Sequence, residues 1–431
     1  MPGSVIPLPR PRSQRPGLEG LGFYVRARRN DHVTLLELLA TGEEGIFGLV
    51  IDAQHVERHR DLITEARRHN LDVILDPKTL QMGLPGAVTD GLSAMPWGLD
   101  RHHNVTDFDG SAGQQRAAQI VEFAANNGCT QLLGPTHLLN SANDPWLRRD
   151  VAMMKRTADE AARRGAELDL IYSLALPIRV LRDTAERRAI IAAITDAPCA
   201  AIWLRVENFG DDATGEKVVA YIEACRDFHA RNIPLVGDHV GGMPGLGVLA
   251  FGAVGGIAHG VTMQQSFRAS NWRRPPLEGR KGFGPGWRVY VPQLDVLLKP
   301  NVAQTLFAAS PKIKAMCGCR DTHCCPHGAR DMVERPARHA VYQRAREIER
   351  LSAVPQSVRP TNYLNQNVRK VSDNVAQVAA FPFGDDALTK SLQGKQQEMS
   401  RYRQTIAHFV ENNEGASVAV APQRRQARKG G

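Results

Sequence analysis

Apolar residues arrive along the middle of the chain in short unbroken runs. Each run is followed by a stretch in which apolar positions recur three and four apart. The runs at 45–52 (GIFGLVID), 71–76 (LDVILD), 130–134 (TQLLG), 167–175 (ELDLIYSLA), 199–207 (CAAIWLRVE), 233–239 (IPLVGDH) and 254–261 (VGGIAHGV) read as strands buried on both faces, because a strand with one wet face would alternate. The stretches between them read as amphipathic helices. Repeated strand–helix units predict a (β/α)8 barrel of the α/β class. A doubly wound open sheet is the runner-up, but it would place a glycine-rich phosphate turn after the first strand, and IDAQHVERH is not one.

Beyond residue 265 the alternation stops. Residues 266–316 are rich in Pro, Gly and aromatics; 289–300 suggests a hairpin and 337–352 a helix. After the linker SAVPQSVRP, two helical patterns follow and form an appendage packed on the barrel or on a partner. The expected division is a disordered tail over 1–20, a barrel over 21–352 that contains a zinc subdomain at 280–345, a helical C-terminal extension over 353–413, and a basic disordered tail over 414–431.

Composition adds bounds. The 431 residues are 42% hydrophobic, enough for a sizeable core, and no apolar run reaches the 18 residues of a membrane span. The N-terminus has Pro and Arg but no apolar signal segment, so a cytoplasmic, reducing setting is expected. A net charge of +9 permits a polyanionic partner. Between 266 and 292, Arg268, Arg273, Arg274, Arg280, Lys281 and Arg288 alternate with Trp272 and Trp287. Cations neutralise phosphates and indoles stack on bases, so this run fits a nucleic-acid contact; a solvated loop with two Trp anchors is the plain alternative.

The densest chemistry is MCGCRDTHCCPHG. Cys317, Cys319, Cys324 and Cys325 fall within nine residues, with His323 and His327 in the same run and His339 opening the next helix. In a reducing compartment such clustering reads as a four-coordinate zinc site rather than as disulfides. The fourth ligand is open among Cys324, Cys325 and His327; Cys317, Cys319, Cys324 and His339 are the favoured set.

Barrel chemistry collects at the C-terminal strand ends. These ends carry Asp52 with Gln54 and His55, Asp76 with Lys78, Thr136 and His137, Arg205 with Glu207, Asp238 with His239, and His259. Carboxylates and imidazoles there suit acid–base or nucleophilic chemistry. The structural alternatives are a cap or turn for Asp52 and Asp76 and an Arg205–Glu207 ion pair.

The order of these parts resembles the tRNA-guanine transglycosylase family, zinc-bearing barrels that exchange guanine for a 7-deazaguanine base in tRNA, with relatives acting on DNA. ILDPKTLQM (74–82), LVGDHVGGMPGLGVLAFGAVGGIAHGV (235–261) and MCGC followed by HAVYQRAREIERL carry the resemblance. It implies a structural zinc, a purine or 7-deazaguanine ligand, a nucleic-acid partner, and a homodimer or heterodimer through the zinc region. It places Asp76 on the family's acid–base Asp, Gln81 on its Gln, and His339 on its zinc His. His259 stands where the family has a nucleophilic Asp, so Asp238 becomes the substitute nucleophile and His259 an orienting or protonating group. Gln81, Glu207, Arg273 and Arg274 are the expected substrate contacts. Two further readings compete: a zinc-stabilised nucleic-acid-binding accessory subunit without base exchange, and a metal-dependent barrel hydrolase with Asp52, Asp76, Asp238 and His259 around a catalytic metal.

Overall fold

The computed structural model describes residues 20–42, 45–273, 286–413 and 416–424. The expected tail over 1–20 lies outside the described residues except for Gly20, as do Arg274, Arg280 and Lys281.

Eight parallel strands close on themselves. They are β1 (Gly22–Ala27), β2 (Gly48–Asp52), β3 (Asp72–Asp76), β4 (Gln131–Leu133), β5 (Asp169–Pro177), β6 (Ala201–Glu207), β7 (Leu235–Asp238) and β8 (Gly256–Gly260). Each pairs with the next, and β8 returns to β1 with His259 opposite Val25. The fold is the (β/α)8 barrel read from the sequence. Seven strands match the apolar runs; β1 is the one the reading lacked.

Helices α1 (His32–Ala40), α2 (Arg60–Arg68), α3 (Gly110–Asn126), α4 (Pro145–Arg163), α5 (Thr184–Ala193), α6 (Gly215–His229), α7 (Gly242–Ala250) and α8 (Pro336–Ser352) surround the strands. Local sequence explains the starts. Asp144 accepts the Trp146 amide at 3.1 Å with Pro145 in the first turn, and Asp183 accepts from Ala185 and Glu186.

Period-two alternation fixes the barrel interior. Tyr24, Val50, Ile74, Leu133, Ile171, Trp203, Val236 and Ala258 form one packed apolar layer. Two residues further along the strands, on the same inward face, stand Arg26, Asp52, Asp76, Arg205 and Asp238. The opposite faces pack on the helices.

Between β8 and α8 the chain makes the hairpin β9 (Val289–Val291) and β10 (Val296–Leu298), then short helices and the cysteine turn. Helices α9 (Lys370–Ala379) and α10 (Asp386–Glu411) belong to the C-terminal extension. This extension is packed on the barrel: the Tyr363 hydroxyl donates to the Met243 carbonyl at 2.8 Å and lies 2.9 Å from the Tyr402 hydroxyl.

The expected disorder from 414 onward does not hold for 416–424. Val420 makes a parallel bridge to Pro234, and the Ala419 amide donates to Gly252 O at 2.8 Å, so this segment crosses the N-terminal face of the barrel. A cavity of about 1140 Å³ lies beneath it. Its apolar residues and open strand-edge backbone make ordering favourable despite the basic end that follows.

Candidate metal centre and barrel mouth

The sulfurs of Cys319, Cys324 and Cys325 and a ring nitrogen of His339 all lie within 4.8 Å of one another, and all four residues are buried. The three cysteines sit on the turn between the helices Pro311–Cys317 and Ala329–Glu334. Asp321 shapes that turn, accepting the amides of His323 at 3.0 Å and Cys324 at 3.2 Å through Oδ1. His339 projects from the first turn of α8. Its Nε2–H donates to Tyr290 O on β9 at 3.0 Å, which leaves Nδ1 as an acceptor facing Cys324 and Cys325 Sγ at 3.3 Å each. Gln343, one turn on, donates to Cys319 Sγ at 3.5 Å.

These spacings are close to the edges of a tetrahedron with metal–sulfur bonds of about 2.3 Å, and the donor set is that of a closed four-ligand site. The cluster corrects one expected ligand. Cys317 ends a helix, is fully buried away from the group, and burial pushes its thiol up to about 12; Cys325 takes its place. His327 instead faces Asp331, with Nδ1 at 3.2 Å. Among the described residues this is the one group of three or more such ligands that converges, so Asp52, Asp76, Asp238 and His259 do not form a second.

The barrel mouth is built on two arginines. Arg26 Nε and Nη2 donate to the two oxygens of Asp238 at 2.6 and 2.8 Å, while Nη1 donates to Asp76 Oδ2 at 2.9 Å. Arg205 meets Asp238 Oδ2 through Nε at 2.9 Å and Nη2 at 2.6 Å, and reaches Asp76 Oδ2 at 3.3 Å. Lys78, held left-handed at φ 61°, donates its amide to Asp76 Oδ1 and brings Nζ to 3.4 Å from Asp52. Side-chain exposure is 0% for Asp238, 6% for Asp76, 3% for Arg26 and 2% for Arg205.

The electrostatics follow from this packing. Burial favours the neutral form of Asp76, but Lys78, Arg26 and Arg205 outweigh it and hold the carboxyl far below the usual range. Asp238 behaves in the same way, with Arg205 and Arg26 overcoming burial. Both carboxylates are therefore ionised, buried and hydrogen-bonded. An acid–base group needs a pKa near its working pH, and these two lie well below it.

Other expected site residues fall as follows. His259 does not join the mouth: it follows the inward Ala258, so it lies on the helix-facing side of β8 against Phe23, ring centroids 5.1 Å apart, with Nδ1 donating to Gly260 O at 2.8 Å; burial lowers it to about 3 and Nε2 has no partner among the described residues. His239 follows Asp238 directly. Gln81 is buried and donates to Ala87 O at 3.0 Å. Glu207 ends β6 half-buried and does not pair with Arg205, whose partners are the two aspartates. Arg273 is exposed. Arg26 and its strand were missed because β1 follows closely on the proline- and arginine-rich start of the chain and carries its own arginine. The signal available was Arg26 two residues beyond Tyr24, the spacing that Trp203 and Arg205 repeat in β6.

Neither a protein-family model nor a curated protein sequence matches this chain. Solved structures with a similar course include 3-dehydroquinate dehydratase from Enterococcus faecalis, at 9% identity and TM-score 0.36, over 60% of this chain and 94% of that one. A GH10 xylanase from Bispora sp. MEY-1 shares 10% identity at TM-score 0.38, over 56% and 83%. The carboxyl transferase domain of Rhizobium etli pyruvate carboxylase shares 9% at TM-score 0.36, over 92% and 61%. None of the three is a tRNA-guanine transglycosylase.

Beside the ion-pair layer lies an open groove of about 870 Å³. The loops after β6, β7 and β8, the β9–β10 hairpin and α10 form its walls. Arg28, Arg268, Arg288 and Trp272 are among its lining residues. Trp272 packs on Phe267, with ring centroids 5.3 Å apart, and Lys78 Nζ sits 5.0 Å from its ring centre.

Proposed function

We propose that this chain is a zinc-stapled barrel that binds a polynucleotide across the mouth groove without base exchange at Asp76 and Asp238. The observation that carries this reading is the sealing of both carboxylates by Arg26 and Arg205. A nucleophile needs a lone pair within reach of the sugar, and a leaving base needs a proton donor; neither carboxylate offers these while paired. Arg28, Arg268 and Arg288 of the groove are candidate phosphate contacts, with Arg268 held by Asp212 and Arg28 by Asp31, and Trp272 offers an indole for a base. The resemblance to the tRNA-guanine transglycosylase family, with His339 opening the helix after the cysteine turn, supports a nucleic-acid partner. Zinc is the ion we assign to Cys319, Cys324, Cys325 and His339, in a structural role, since four protein ligands leave no open position.

A second reading, base exchange, is favoured by one distance. Arg205 Nη2 touches both Asp76 Oδ2 and Asp238 Oδ2, so these oxygens are at most about 6 Å apart, a ceiling that includes the carboxyl spacing of about 5–5.5 Å of double-displacement glycosyl chemistry.

Labelled guanine offered with tRNA or duplex DNA, under conditions where the polynucleotide is bound, separates the two. Binding without retained label is the expected result. Label retained by wild type and abolished by Asp238→Asn would establish exchange instead.

A further inference from the structure

The cysteine–histidine cluster is buried but not closed off on every side. A cavity of about 350 Å³ lies against it, between α8, the β9–β10 hairpin and the C-terminal extension. Of the three cluster cysteines, Cys319 alone lines this cavity, and it is 9% exposed against 3% for Cys324 and for Cys325. Arg320, Arg350 and Lys370 line the same cavity. Its two acids are engaged elsewhere: Asp321 accepts the turn amides and Glu347 pairs with Arg344. A reachable sulfur in an electropositive setting is the environment of a reactive cysteine rather than an inert one.

Sulfur spacing decides which partner Cys319 can take. Its Sγ lies within 4.8 Å of both Cys324 and Cys325 Sγ. Cys324 and Cys325 have sulfurs 3.6 Å apart, but they are sequence neighbours. Neighbouring Cα atoms stand about 3.8 Å apart, below the usual disulfide range of about 4.4–6.8 Å, so bonding those two to each other is strained. Cys319 is therefore the member that can bond to either. The other cysteines, Cys129, Cys199, Cys225 and Cys317, lie outside the cluster. His339 ties the cluster to the mouth: Nε2–H donates to Tyr290 O on β9, and Val296, Leu297 and Leu298 of the same hairpin line the mouth groove.

We propose that the metal centre is a thiol redox switch, in which a peroxide entering the cavity oxidises Cys319, a disulfide forms to Cys324 or Cys325, and the zinc leaves. The Cys319 sulfur attacks one peroxide oxygen, the O–O bond breaks, and hydroxide departs to leave a sulfenic acid. The second thiolate attacks that sulfur, forms the S–S bond and expels the remaining oxygen as hydroxide. Two protons from solvent convert both hydroxides to water. Two thiolates thus lose two electrons, and one peroxide becomes two waters. A site with two of its four ligands gone releases the ion, and the turn that holds His339 against the hairpin slackens. The proposal rests on the zinc assignment above and is independent of polynucleotide binding.

Hydrogen peroxide added to the zinc-loaded full chain beside a chromogenic zinc chelator tests it. One zinc per chain is expected to be released. Free thiols counted in denaturant should fall from seven to five, two per disulfide. Peptide maps should show Cys319 linked to Cys324 or Cys325, and amide hydrogen exchange over 289–298 should quicken. Dithiothreitol with added zinc should reverse all of these. Cys317→Ser, outside the cluster, should release zinc at the wild-type rate. Zinc retained by the loaded chain, oxidation that falls first on cysteines outside the cluster, or hairpin exchange unchanged after release would overturn the proposal alone. A chain that takes up no zinc would overturn the metal assignment and the switch with it.

Discussion

Cys325 shows how far residue spacing reaches. Four cysteines and a histidine in one run made a metal centre legible, but which four ligands converge depends on the turn that Asp321 imposes and on Cys317 being drawn into a helix end. One zinc per chain by elemental analysis is expected. Cys324→Ser and Cys325→Ser should each lose it, whereas Cys317→Ser should keep it; loss in Cys317→Ser would refute the ligand set. Asp211 belongs to the same scale, and no motif marked it. Burial, then Asp212 and Asp295, raise its carboxyl to about 6, with Ser266 and Lys395 opposing. A carboxyl raised by folding favours the native state below its unfolded pKa of about 4, and that advantage is lost as pH rises through 6. At pH 8 its charge therefore costs on the order of 1–3 kcal/mol, and Asp211→Asn should raise the melting temperature more at pH 8 than at pH 4. An equal shift at both pH values would count against a carboxyl raised by desolvation and by Asp212 and Asp295.

At the scale of elements, the seven apolar runs were readable because parallel strands buried on both faces need continuous apolar sequence. β1 was not, since GFYVRA follows closely on a proline- and arginine-rich stretch and carries an arginine of its own. With it went Arg26, and so the central fact about the mouth: Asp52, Asp76 and Asp238 looked like free carboxylates. The inward register Tyr24–Arg26, Ile74–Asp76, Trp203–Arg205 and Val236–Asp238 only becomes visible once eight strands are placed around one axis. Removing one partner from a buried pair leaves the other uncompensated, at about 3–5 kcal/mol. Arg26→Met and Arg205→Met should each lower the unfolding free energy by roughly that amount in urea titrations. A loss below about 1 kcal/mol would mean that the layer is not the staple described. The depressed carboxyls of Asp76 and Asp238 set the pH window. Their contribution is whole above pH of about 4 and falls away as pH drops toward their folded values.

For the whole molecule, the loops at the barrel mouth, the β9–β10 hairpin and α10 assemble one groove beside a sealed charged layer. No helix among the described residues is long and apolar enough to cross a membrane. Of the segments that carry the resemblance, Asp76 and Asp238 stand in the ion-pair layer at the barrel mouth and His339 in the cysteine–histidine cluster. The central claim is polynucleotide binding at that mouth. Fluorescence anisotropy of a labelled single-stranded 20-mer of about this length, titrated with wild type and Trp272→Ala between about 50 and 200 mM salt, tests it most directly. Log affinity is expected to fall linearly with log salt, and Trp272→Ala to weaken binding by about tenfold through lost stacking. Affinity that ignores salt, or no binding at the lowest salt, would contradict it.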